Sequence, residues 1–76
     1  MDLGTKIYER RHELGLRQVD LAHNCGMSQE SISQIERGHI NPTLASAFRI
    51  ASTLGWSLSE LFEGVTSGVG FEEDLA

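Results

Sequence analysis

Apolar residues recur three and four apart along most of this chain, and glycines interrupt the runs. That spacing predicts amphipathic helices, and a glycine just past each run marks a helix stop. Stops fall at Gly15, Gly26, Gly38 and Gly55. The first predicted helix runs from about Asp2 to Leu14, with Leu3, Ile7 and Leu14 on one face. The second runs from about Gln18 to Cys25 and contributes Val19, Leu21 and Ala22. The third, Ser28 to Arg37, carries Ile32 and Ile35, with Ser28 as its N-cap. The fourth, after Pro42 and Thr43, carries Leu44, Ala47, Phe48, Ala51 and Leu54. The fifth spans about Leu58 to Glu63, and Ser57 with Glu60 forms a capping box at its start. No period-two run of β-branched residues predicts a strand. The expectation is an all-α domain of five helices over residues 1–63. The acidic, Gly-containing tail, residues 64–76, is expected to be flexible or to lie at a dimer interface.

Composition sets bounds on this picture. The 76 residues are 39% hydrophobic, enough for one thin core. A single cysteine, Cys25, makes no internal disulfide, so a reducing compartment is expected. No signal-peptide pattern opens the chain, and no apolar stretch has the length of a membrane span. The expected location is therefore cytoplasmic. The net charge is −5, which alone argues against nucleic acid. Its distribution changes that reading. All six Lys and Arg lie in residues 1–49 together with six acids, and the remaining five acids lie beyond them. A neutral body can hold a basic face while the acidic end points elsewhere.

The second and third segments carry the function. Gln18–Cys25 and Ser28–Arg37 are two short helices joined by a tight turn at Gly26 and Met27. Such a pair cannot bury its apolar faces alone, and the other three segments supply a scaffold. This is the plan of a helix-turn-helix. At 100° per residue from Ile32, Ile35 and Ser28 define the buried side of the third helix. Glu30, Ser33, Gln34 and Arg37 fall opposite, with Gln29 and Ser31 on the flanks. Gln pairs with adenine, Glu accepts from cytosine, Arg reaches guanine or phosphate, and Ser adapts. On residue types alone this face is either ordinary solvated surface or a base reader.

A longer string of residues resembles one family. Arg11, Leu16-x-Gln18-x-x-Leu21-Ala22, Gly26 and Ser31-Ile32-Ser33-x-Ile35-Glu36-Arg37-Gly38 all fall in register. Asn41-Pro42, Ile50-Ala51-x-x-Leu54-Gly55 and Leu58-x-x-Leu61-Phe62 continue it. Over about residues 3–63 the chain resembles the lambda-repressor/Cro-like (XRE-type) helix-turn-helix regulators. The resemblance implies base reading by Gln29, Glu30, Ser33, Gln34 and Arg37, and that Gln18 bonds a DNA phosphate and steadies Gln29. It implies a partly buried salt bridge between Arg11 and Glu36, and backbone contacts from Arg37, His39 and Asn41. Arg10 and Lys6 are further phosphate candidates. Arg17 stands where the family commonly has a Ser or Thr cap, a choice that a phosphate ligand would explain. Glu30 either reads a cytosine or discriminates against wrong bases.

Other chemistries find little support. Cys25 is either a redox-sensing thiol or, as the resemblance implies, a small core residue, and no metal-ligand spacing joins it to His12, His23 or His39. No nucleophile–base set is visible, so the chain reads as no enzyme, with no cofactor, metal or small-molecule ligand. The expected function is a transcriptional regulator, repressor-like and bacterial or phage in style. It would bind double-stranded DNA at a roughly palindromic operator as a homodimer. Trp56, Leu58, Leu61 and Phe62 are the expected dimer surface. The rival reading is a protein-interaction module of the same fold, antitoxin-like, with weak or no DNA binding.

Overall fold

The computed structural model describes residues 1–66. Those residues hold five α-helices: α1 Leu3–Glu13, α2 Gln18–Cys25, α3 Gln29–Glu36, α4 Leu44–Thr53 and α5 Leu58–Phe62. The all-α, five-helix architecture is the one the periodicity predicts.

Each helix start has a local chemical cause. Asp2, Ser28, Thr43 and Ser57 cap α1, α3, α4 and α5, each accepting the backbone N–H three residues on. At α5 the box is closed by Glu60, whose carboxylate accepts the Ser57 N–H at 2.8 Å. The helix stops share one device. The N–H groups of Leu16, Met27, His39 and Trp56 each donate to the carbonyl five residues back. That bond satisfies a carbonyl left open by the end of the helix. At the α2–α3 turn it needs a left-handed residue, supplied by Gly26 at φ 67°.

The core is built from Leu3, Ile7, Leu21, Ala22, Cys25, Ile32, Ile35, Ala47, Ile50, Ala51, Leu54 and Leu61. α3 packs against α1 and α2, α4 against α2 and α5, and α5 closes onto α1. The arrangement holds α3 by its Ile32/Ile35 side and leaves the other side outward.

Several expected core positions sit at the surface instead. Leu14, Val19, Leu44 and Phe48 are 42–58% exposed. Leu14 lies beyond the last turn of α1, as its C-cap. Val19, Leu44 and Phe48 lie on the faces of α2 and α4 turned from the core, and Ile50 fills α4's central buried position. The structured body also extends past Glu63. Val65 packs against the core, and the Thr66 N–H donates to the Met1 carbonyl at 3.1 Å. The rest of the expected tail, residues 67–76, lies outside the described residues.

Candidate nucleic-acid interface

One ion pair pins the end of α3 to α1, beside the core contacts of Ile32 and Ile35. Arg11 Nε donates to Glu36 Oε2 at 2.6 Å, and Arg11 Nη2 to Glu36 Oε1 at 3.0 Å. The two side chains are 7% and 3% exposed. Arg11 Nη1 also donates to the Leu16 carbonyl at 2.8 Å. This fork-to-fork geometry ties α1 to the last turn of α3 and leaves no buried polar side-chain atom unpaired among the described residues. The hydrogen bonds to Glu36 raise the Arg11 pKa.

The network continues toward the start of α3. Gln18 Nε2 donates to Glu36 Oε1 at 3.0 Å, and Gln29 Nε2 donates to Gln18 Oε1 at 3.4 Å. Glu36 and Gln29 are seven residues apart, about 10 Å along the helix axis at 1.5 Å per residue. They lie on nearly the same face, and Gln18 bridges the gap from α2. An ionised carboxylate only accepts, so the Gln18 amide nitrogen must face Glu36 and its oxygen must face Gln29. A chain from Arg11 through Glu36 and Gln18 thus sets the first residue of α3.

On the outer face, Gln34 Nε2 donates to Glu30 Oε2 at 2.9 Å. Gln29, Glu30 and Arg37 are exposed, whereas Ser33 and Gln34 are half-buried. The readable face is therefore tilted toward the start of α3, which the helical wheel alone does not show. His39 and Asn41 are exposed on the loop between α3 and α4.

The cations divide in a way the sequence hid. Arg10 Nε donates to the Leu54 carbonyl at 3.0 Å, and its guanidinium lies 5.0 Å from the Trp56 ring and pairs with Glu13. Lys6 donates to the Glu60 and Glu63 carbonyls at the end of α5, a favourable place for a cation. Arg49 Nε donates to the Cys25 carbonyl at 3.0 Å. Arg17 is bound twice by Asp20, at 3.0 and 3.1 Å. Asp20 also accepts the Arg17 backbone N–H at 2.9 Å, so α2 is capped from its third residue rather than by Arg17. The side-chain bond from Arg17 holds the Asp20 carboxyl below its ordinary range. Among the described residues, Arg37 is the one Lys or Arg side chain with no intramolecular hydrogen bond or ion pair.

Two expectations are corrected by these contacts. Leu61 is fully buried within its own domain, so it offers nothing to a second copy. Arg10 is held against Leu54 and Trp56, so its guanidinium is engaged in scaffolding rather than free for phosphate. Cys25 is buried, 3.6 Å from Thr53 Oγ1, and burial raises its thiol pKa. No group of His, Cys, Asp and Glu among the described residues is arranged to hold a metal.

A family model described as helix-turn-helix matches residues 7–61. The chain belongs to the lambda-repressor/Cro-like helix-turn-helix family of transcriptional regulators. It is 40% identical over 65 residues to the HTH-type transcriptional regulator DdrOP3 of Deinococcus deserti, covering 86% of this chain and 50% of that protein. The chain thus spans half the length of that relative. The DNA-binding domain of the P22 c2 repressor superposes with a TM-score of 0.81 at 31% identity, covering 84% of each chain. The restriction–modification controller C.AhdI of Aeromonas hydrophila superposes with a TM-score of 0.76 at 32% identity, covering 79% of this chain and 91% of that one. Curated relatives of this chain are named as helix-turn-helix transcriptional regulators. No helix among the described residues is long and apolar enough to cross a membrane.

Proposed function

We propose that this chain is a repressor-like regulator that binds a roughly palindromic operator as a homodimer in the cytoplasm. α3 lies in the major groove, with Gln29, Glu30, Ser33, Gln34 and Arg37 toward the base edges. Gln18, His39 and Asn41 contact the phosphate backbone around it, and Arg17 stands beside them at the start of α2. The observation that carries this reading is the Gln18–Gln29 hydrogen bond, anchored on Glu36. It holds a base-reading amide in a defined orientation before DNA arrives, which lowers the ordering cost of binding.

One α3 helix spans only a few base pairs. Two copies with recognition helices about 34 Å apart would read two half-sites one turn apart. Trp56, Leu58 and Phe62 are half-buried at the α5 end and form the proposed dimer surface.

A second reading, a protein-docking module with little DNA affinity, draws on the −5 charge and on the engagement of every Lys and Arg except Arg37. Enrichment of operators from random duplex, with binding then measured across salt, separates the two. The regulator reading expects an enriched palindrome and an affinity that falls steeply as salt rises. No retention of duplex at low salt would refute it in favour of the docking module.

A further inference from the structure

We infer that Glu30 and Gln34 act as one acceptor-bearing unit that selects a cytosine in each half-site; this rests on the DNA-reading assignment above. The two residues are one helical turn apart and straddle the pole of α3 opposite Ile32, at about 160° and 200° from it. Their side chains are joined by the 2.9 Å bond from Gln34 Nε2 to Glu30 Oε2. Because an ionised carboxylate has no proton to give, the Gln34 nitrogen must face it and the Gln34 oxygen must turn away. Among the described residues no Lys or Arg pairs with Glu30. Its charge is thus not neutralised by a cation, and the neutral Gln34 amide holds only one of its oxygens, so a groove that offers no further donor would leave the other desolvated and unbonded.

The base edges decide what can supply that donor. Every purine shows the N7 acceptor in the major groove, guanine adds O6, and thymine shows O4. Cytosine alone presents a donor, its N4 amino group, with no acceptor of its own beside it. Adenine read by Gln34 would take the amide's second N–H for its N7 and so bring that acceptor up beside the Glu30 carboxylate. Cytosine brings its N4 donor to the free oxygens of Glu30 and Gln34 and no acceptor of its own. Gln29 differs, because its nitrogen donates to the neutral oxygen of Gln18, and it remains suited to adenine. The carboxylate therefore attracts the cytosine amino group and repels a purine N7 brought beside it.

The test is operator enrichment from random duplex with the whole chain, in the wild type and in Glu30→Gln and Gln34→Ala. Thermal unfolding of each variant checks that these surface changes leave the fold intact. The expected wild-type operator has a cytosine at one position of each half-site. Glu30→Gln should shift that position toward adenine, and Gln34→Ala should relax it, each reducing discrimination by about tenfold. Replacing the cytosine with N4-methylcytosine fills the groove-facing donor position. It should weaken wild-type binding by about tenfold and leave a Glu30→Ala/Gln34→Ala double variant unchanged. An enriched operator whose preferences are the same in wild type and variants overturns the inference and leaves the regulator reading standing. A purine preferred opposite Glu30 in the wild type does the same. Enrichment of no sequence at all refutes the regulator reading, and the inference falls with it.

Discussion

Gly4 lies in the first turn of α1, packed against the end of α3, and is buried. A Cβ placed on it would lie 2.4 Å from the Glu36 carbonyl oxygen, 2.5 Å from the Ile35 carbonyl oxygen and 2.8 Å from the Glu36 carbonyl carbon. All three are backbone atoms, so no flexible side chain can swing aside. Ordinary contact starts near 3.4 Å, so α1 and the end of α3 would have to part by about 1 Å. Overpacking of this kind costs about 1–3 kcal/mol, and the upper end applies where backbone meets backbone. Helix propensity works the other way, since alanine in a helix is favoured over glycine by about 1 kcal/mol. The net expectation for Gly4→Ala is a loss of about 2 kcal/mol. For a domain this small that lowers the unfolding midpoint by about 8–16 °C. Thermal unfolding followed by far-ultraviolet circular dichroism reads it, with Thr5→Ala on the exposed neighbour as the control. Propensity alone predicts the opposite sign, a rise of about 4–8 °C. A midpoint at or above the wild type's would refute the close approach of α1 to α3.

Three further outcomes follow from the same contacts. Glu36→Ala strands the buried Arg11 guanidinium and should cost about 3–5 kcal/mol, as much as the whole stability expected of such a domain. Chemical denaturation should find that variant largely unfolded at room temperature. Arg37→Ala removes the unengaged cation placed toward the base edges, so it should weaken operator binding by about 1–3 kcal/mol and relax the preference at one base position. An enriched operator with every preference of the wild type would remove Arg37 from the base-reading set. The Asp2 carboxyl is held below its ordinary value chiefly by the Thr5 backbone N–H, and that of Asp20 chiefly by the Arg17 side chain. A depressed carboxyl stabilises the fold fully above its unfolded value, near 3.8, and that contribution is lost as pH falls through the folded value. Melting midpoints should therefore drop on acidification below about pH 4, and Asp20→Asn should flatten part of that drop.

The helices and their ends are local matters, and the sequence by itself determined them. Glycines at 15, 26, 38 and 55 follow the helix ends within two residues, and Ser28 and Ser57 cap α3 and α5 as their side chains dictate. The spacing of Ile32 and Ile35 was enough to say which side of α3 is held and which is offered, because a helix has a fixed turn per residue. The margins of the faces were a different problem. Whether Leu44 and Phe48 or Ile50 is covered depends on where α2 and α5 cross α4, which no period within α4 records. The same holds for charge. Lys6, Arg10, Arg17 and Arg49 read alike as free cations in the chain, and only the packing brings each to a carbonyl or carboxylate and leaves Arg37 unengaged. Gly4 gave no signal, because a helical glycine declares itself only when another backbone lies against it. Tertiary structure likewise decided that Leu61 belongs to the core and that Gln18 spans from Glu36 to Gln29. Periodicity fixes directions around one axis, and contacts between axes arise only when the helices are set against one another.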